Sequence, residues 1–338
     1  MAIDEIKRCR VCGNTKLIQI LNLGFHALSA IFPKINEPDP IEPPLVLVKC
    51  DDENDTNSCG LLQLKHSVPG ELMYLNNYGY RSGINRTMTE HLKEIADEIK
   101  SRITLSSGDV VLDIGSNDAT LLKFFNEHGL KRIGIDPTGN QFKSFYPDDV
   151  LLISDFFNFD NFKKASTEKK AKVITSIAMF YDLKEPMKFV ADIKNSLDKD
   201  GIWIIEQSYM PMMLEANAFD TICHEHLEYY LLKQIKWMMD RVGLRIVDVS
   251  FNDANGGSFR ITLCHNSSLM KSKDDKINEI LDKERNDGFH TLKPYVEFKK
   301  RIEYIKNRLK NFIYIGYSED LKSRIISHNN GENKSTKA

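Results

Sequence analysis

Between about residue 84 and residue 265 the apolar positions fall into two alternating patterns. Continuous apolar runs read as buried strands: DVVLDIG (109–115), KRIGIDP (131–137), AKVITSIAMF (171–180) and GIWIIEQS (201–208). Between them, apolar residues recur at helical spacing in segments 89–101, ATLLKFFNEHGL (119–130), MKFVADIKNSL (187–197) and KQIKWMMDRVG (233–243). Alternating strand and helix predicts an α/β fold with a parallel, doubly wound sheet. The last two strands, LRIVDVSF (244–251) and GSFRITLC (257–264), are separated only by the turn NDANGG. They should form an antiparallel hairpin at one edge.

The flanks differ. Five of the eleven prolines lie in FPKINEPDPIEPP (32–44), an expected extended loop that separates Cys9 and Cys12 from Cys50 and Cys59. Residues 1–75 therefore read as a small loop-rich module and 76–270 as the α/β domain. Residues 271–338 are charged and helical, ending in a polar tail.

Composition narrows the partners. Forty-six basic residues against 48 acidic ones leave a net charge of −2, with no basic excess for a nucleic-acid surface. No apolar run approaches the ~18 residues of a membrane span, and the N-terminus lacks a secretory apolar core, so a cytoplasmic protein is expected. Six cysteines in such a chain should be thiols or metal ligands.

Cys9-Arg-Val-Cys12-Gly13 is a C-x₂-C knuckle, and Cys50 and Cys59 supply a second pair eight residues apart. Four thiolates suit a tetrahedral structural Zn²⁺, which would stabilise a module too small for much core. His26 and His66 are possible substitute ligands.

Asp113-x-Gly115, followed by Ser116, Asn117 and Asp118, ends the first strand of the domain. Backbone N–H groups there can meet a ligand's polar atoms. The glycines fall short of a dinucleotide fingerprint. Asp136-Pro137 ends the next strand, where a carboxylate can accept ribose hydroxyls. Asp155 and Phe156 follow the third strand, suited to an adenine's amino group and face. With the edge hairpin, this spacing points to S-adenosylmethionine.

The segment DTICHEHLEYY (220–230) follows the strand GIWIIEQS, whose carboxyl end faces the ligand crevice. His224 and His226 are two apart, so the zinc-protease H-E-x-x-H pattern does not apply. A general base beside a carboxylate, Glu225, fits better.

CRVCG, CGLLQL (59–64), YGYRSGINRTM (78–88), LDIGSND (112–118), IGIDPTGN, DTICHEHLEYY and NGGSFRITL (255–263) together resemble the S-adenosylmethionine-dependent sugar C-methyltransferases of deoxysugar biosynthesis. The resemblance runs from residue 9 to about 265. It implies a zinc-binding N-terminal domain, a class I methyltransferase domain and a nucleotide-linked 4-keto-6-deoxy sugar methylated at C3. It also implies His226 as the base, with His224 its rival, Glu225 as a sugar or orienting contact, and Tyr80, near Tyr78, as a donor to substrate oxygens.

Three departures stand out. Cys223 replaces a tyrosine frequent in the family, and Asp182 replaces a histidine. The family's C-terminal Rossmann-like domain is expected to be lost. In its place the tail resembles part of a GIY-YIG nuclease at Tyr314-Ile315-Gly316, Arg324 and His328. The metal-binding glutamate of such nucleases is absent, so phosphodiester cleavage is not expected. O- or N-methyl transfer on the same scaffold, or an inactive binding protein, are the alternatives.

Overall fold

The structure, a computed structural model, describes residues 3–29, 36, 39–53, 55, 57–74 and 78–316, residues 309–316 by backbone alone. Much of the proline-rich stretch, and Arg324 and His328, lie outside the described residues.

The larger sheet of the N-terminal module starts with β1 (Leu17–Phe25), β2 (Pro44–Cys50) and β3 (Leu62–Leu64). The α/β region follows as α1 (Arg86–Arg102), β4 (Val110–Ile114), β5 (Lys131–Ile135), β6 (Val150–Ile153), α2 (Phe159–Ala165), β7 (Ala171–Ile177), α3 (Pro186–Ser196) and β8 (Leu197–Ser208). Then come α4 (Met210–Ala216), β9 (Glu228–Tyr229), α5 (Leu232–Val242), β10 (Leu244–Asn252), β11 (Ser258–His265), α6 (Asp274–Asn286) and α7 (Lys293–Gly316).

Seven strands form the main sheet in the order β10-β11-β8-β7-β4-β5-β6. β8, β7, β4, β5 and β6 run parallel, and β11 pairs antiparallel with both β8 and β10. This is the class I methyltransferase arrangement, with the expected hairpin at the edge. Every residue of β4 is buried, because helices cover both faces of a parallel sheet. α1 turns Leu92, Ile95, Ala96 and Ile99 to one face, and Asn85 caps it by accepting from Thr87 N at 2.8 Å. Gly243, at φ 81°, ends α5 in the left-handed conformation glycine tolerates.

The helix expected over 119–130 is reduced to a single 3-10 turn, Leu122–Phe124. Asn117 (φ 49°) and Ala119 (φ 60°) wind the chain left-handed just where that helix would start. Leu121, Leu122 and Phe125 still bury against α1, which is why their spacing looked helical. The tail also departs from a nuclease element: the backbone of Tyr314-Ile315-Gly316 closes α7.

The loops of the N-terminal module are gathered around a small antiparallel sheet. Its sheet has the order β9-β3-β2-β1, so Glu228–Tyr229, just past the HEH motif, complete it.

Charge pairing fixes α1 and the segment leading into α6 to the sheet. Asp248 on β10, its side chain 3% exposed, accepts from Arg102 (2.7 Å), Lys273 (2.6 Å) and Lys276 (3.3 Å). Burial pushes its carboxyl up, but the bonds from Lys273 and Arg102 prevail and hold it at about 2. The folded value lies below the unfolded one of ~3.9, so this stabilisation is present above about pH 4 and fades as pH falls toward 2. Asp248→Asn should cost about 1–2 kcal/mol at pH 7, since the lysines are half exposed. Urea unfolding at pH 7 and pH 3 checks this; a difference that does not shrink at pH 3 contradicts it.

Candidate active site

At the carboxyl end of β4, Gly115 takes φ 73°, and a Cβ there would lie 3.0 Å from Met179 Cγ. The loop after it is held from both sides. Asn117 N donates to Asp136 Oδ2 (2.8 Å), while Asp136 Oδ1 accepts from Thr138 N (2.6 Å) and Thr138 Oγ1 (2.5 Å). Three internal donors leave one of that carboxylate's roughly four lone-pair positions open.

The Asn117 side chain accepts from Ser82 N (2.9 Å) and donates to the Tyr80 carbonyl (3.1 Å). Asp118 is fully buried and accepts from Gly83 N (3.0 Å) and Thr120 Oγ1 (2.5 Å). These two residues hold the segment 80–83 against the loop that follows β4. A side chain at Gly83 would run into Asp118 Oδ2 at 2.6 Å.

Asp113 accepts from Thr175 Oγ1 (2.6 Å), and burial, reinforced by Asp136, pushes its carboxyl up to about 7. Asp155 is exposed, its oxygens accepting from Phe156 N (2.7 Å) and Asn161 Nδ2 (2.9 Å). Phe156 is 43% exposed. Pro137 is part-buried beside Asp136. Acids at the ends of β4 and β5, an open glycine turn and an exposed ring suit a nucleoside bearing a cationic amino-acid tail, as S-adenosylmethionine is.

The HEH loop leaves α4 through Asn217, at φ 55°, and a 3-10 turn, Phe219–Thr221. Leu227 N donates to the Tyr181 carbonyl (2.8 Å), tying the loop to the turn Phe180–Asp182 that follows β7. His226 Nδ1 lies 2.8 Å from the Thr221 carbonyl oxygen. That oxygen can only accept, so Nδ1 carries the proton and Nε2 of the neutral ring is left with its lone pair. The ring packs on Tyr181 with centroids 4.3 Å apart.

His224 turns the other way. It is 3% exposed, its Nε2 donates to the Pro43 carbonyl (3.0 Å), and burial holds its pKa down. The two histidines thus part company: one fastens the N-terminal module, and the other has no hydrogen-bond partner on Nε2 among the described residues.

Glu225 Oε2 accepts from Ser29 Oγ at 3.5 Å; burial raises its pKa. Glu225 Oε1, Asp182 Oδ1 and Tyr74 Oη are shielded from solvent with no partner among the described residues. Burial first, then the charges of Glu225, Asp182 and Asp136, push the pKa of the Tyr78 hydroxyl up. Tyr80 is 49% exposed at the rim. Tyr74 and Tyr181 escaped the sequence reading. Tyr181 stands directly after β7, at the ligand end of the sheet, and that position was the available signal.

Away from the crevice, Cys9, Cys12, Cys50 and Cys59 bring their sulfurs within 4.8 Å of one another, with Cys9–Cys59 and Cys12–Cys50 each at 3.5 Å. Tetrahedral zinc with bonds of about 2.3 Å sets sulfurs about 3.8 Å apart, so the donor set fits. The described residues between Cys50 and Cys59 belong to no helix or strand. Neither His26 nor His66 joins the cluster.

Three families match the chain in order. A zinc binding domain family matches residues 9–74, a methyltransferase domain family residues 80–249, and a C-methyltransferase C-terminal domain family residues 253–322. β11, α6 and α7 lie in the third match, so the chain carries at least part of the region that the resemblance treated as lost.

The C-methyltransferase NovU of Streptomyces niveus is 25% identical over 314 residues, covering 92% of this chain and 73% of that protein. Among solved structures, the plantazolicin methyltransferase BpumL in complex with a triazolic analogue and SAH is 11% identical, covers 55% of this chain and 88% of its own, and has a TM-score of 0.43. LepI complexed with SAM is 13% identical over 54% of each chain, with a TM-score of 0.40. No described helix is long and apolar enough to cross a membrane. Because the methyltransferase domain match spans half of its residues, the chain belongs to that methyltransferase family, as an S-adenosylmethionine-dependent enzyme with a four-cysteine zinc module.

Proposed function

We propose that the protein methylates carbon: C3 of a nucleotide-linked 4-keto-6-deoxy sugar. The observation that carries the reading is His226 at the ligand end of the sheet, its Nδ1 proton anchored on Thr221 and its Nε2 without a hydrogen-bond partner among the described residues. The matches to a C-methyltransferase C-terminal domain and to NovU support it. On this reading residues 1–75 form the metal module, 76–270 carry the reaction and 271–338 brace it.

A ketone acidifies the neighbouring C–H. His226 Nε2 takes that proton, and the Thr221 carbonyl steadies the imidazolium that results. The electron pair shifts onto the ketone oxygen, and the enolate carbon attacks. S-adenosylmethionine supplies an electrophilic methyl group on a sulfonium. Asp136, the Asn117 backbone, Asp113, Asp118, Asp155 and Phe156 would hold it, and Glu225 and Tyr80 would meet the sugar.

Labelled S-adenosylmethionine with a panel of nucleotide 4-keto sugars tests the reading. Label on C3, with loss of the C3 proton to D₂O in the absence of methyl donor, is expected. Label on oxygen or nitrogen without such exchange refutes it.

Asp136→Ala should weaken S-adenosylmethionine binding by about tenfold to a hundredfold, the loss of a hydrogen bond to a charged group of roughly 1.5–3 kcal/mol. Calorimetric titration reads it; unchanged affinity in a folded variant places the ribose elsewhere.

A further inference from the structure

We propose that Asp182 is a catalytic residue of this reaction, a neutral carboxylic acid that donates its O–H to the substrate oxygen that becomes negative when His226 removes the adjacent proton. The inference rests on the proposed carbon methylation and adds a residue to it.

Position comes first. Asp182 ends the turn that follows β7, at the ligand end of the sheet. That turn and the HEH loop are one scaffold, joined by the bond from Leu227 N to the Tyr181 carbonyl and by His226 packing on Tyr181. An acid on the first and a base on the second therefore keep a fixed relation.

Surroundings come second. Asp182 Oδ1 has no hydrogen-bond partner among the described residues, and neither has the nearby Glu225 Oε1. The charges acting most strongly on Asp182 are those of His226, Glu225, Cys223 and Glu228. A carboxylate so placed would be desolvated, with the Glu225 carboxyl as a further acidic neighbour. Burial, then Glu225, Cys223 and Glu228, push its pKa well above the usual range against the pull of His226. It resolves the conflict by keeping its proton, and a neutral acid is a donor in want of an acceptor.

Chemistry comes third. A ketone oxygen is a modest acceptor and an enolate oxygen a strong one, so the bond strengthens as charge develops. Cys223 cannot substitute: a thiol is a weak donor, and burial with Glu225 pushes this one up to about 11. The proton passes from carbon to His226 Nε2, the electron pair moves to the oxygen, and Asp182 shares its own proton without losing it. When the carbon–carbon bond forms and the methyl–sulfur bond breaks, the oxygen is a ketone again.

Asp182→Asn keeps the shape and an N–H donor; Asp182→Leu keeps the volume and donates nothing. Both are compared with the intact enzyme for kcat, KM, donor affinity by calorimetry, and proton exchange from the substrate carbon in D₂O without donor. The Asn variant should stay within about tenfold of wild type. The Leu variant should lose about 10²–10³ in kcat and in exchange rate, with KM and donor affinity nearly unchanged. If loss of donor binding shows that Leu does not fold, Asp182→Ala takes its place in the comparison. A Leu or Ala variant within tenfold of wild type overturns the proposal. So does an Asn variant as inactive as Leu while still binding donor, which would make the carboxylate a proton acceptor. Exchange by the wild-type enzyme is the separate check on carbon methylation, so failure of that reading is told apart from failure of Asp182.

Discussion

His226→Ala should lower methyl transfer about 10²–10⁴-fold and leave S-adenosylmethionine binding nearly intact, because it deletes the base without touching the loops at the ends of β4 and β5. The proton it must receive has one well-placed destination: Nε2 of a ring whose other nitrogen already donates to Thr221. His224→Ala is the control. It removes the bond to Pro43 from a buried site, so it should cost about 1–3 kcal/mol of stability while the folded fraction keeps most of its activity. Single-turnover transfer by both variants separates them. A dead His224→Ala beside an active His226→Ala reverses the assignment. Activity in both moves the base outside the motif, and Tyr80 becomes the next residue to replace.

This choice between histidines shows where sequence reading stops. Both lie in one short motif, and nothing in DTICHEHLEYY says which ring faces the crevice. The proposed choice rests on two backbone carbonyls, Thr221 and Pro43, and a motif does not display its backbone acceptors. The seven-stranded sheet was legible because buried parallel strands are continuously apolar and their connections helical. The segment 119–130 reads as a helix because its apolar residues do bury, but on a chain wound left-handed at Asn117 and Ala119. Asp182 drew notice only as a departure from a family pattern. Its isolation depends on neighbours forty and more residues away, as does the pairing of Glu228–Tyr229 with β3.

That pairing sets up the last expected result. The protein purified without added metal should contain about one zinc per chain, and stripping it with a chelator should abolish methyl transfer as well as unfold the N-terminal module. Four sulfurs 3.5–4.8 Å apart make no disulfide, whose bond is about 2.05 Å, and gain their stability from a shared cation. The consequence reaches the active site through short connections. Gln234 on α5 donates to the Cys59 carbonyl (2.9 Å) and accepts from Leu231 N (2.7 Å), just past the HEH motif. Arg10, inside the knuckle, donates to the Leu64 carbonyl (2.6 Å) on β3 and faces buried Glu228 on β9 at 3.6 Å. Loss of the metal frees Arg10 and Cys59 together, so β9 loses its partner strand and the His226 loop its exit. Structural zinc contributes on the order of 10 kcal/mol in small modules. Cys12→Ser should therefore lower the melting temperature by more than about 10 °C, at roughly 2–4 °C per kcal/mol. Elemental analysis, thermal melts and methyl transfer on the same preparations decide it. Near-zero zinc with a folded module and full activity would show that the four thiols hold the fold without a metal.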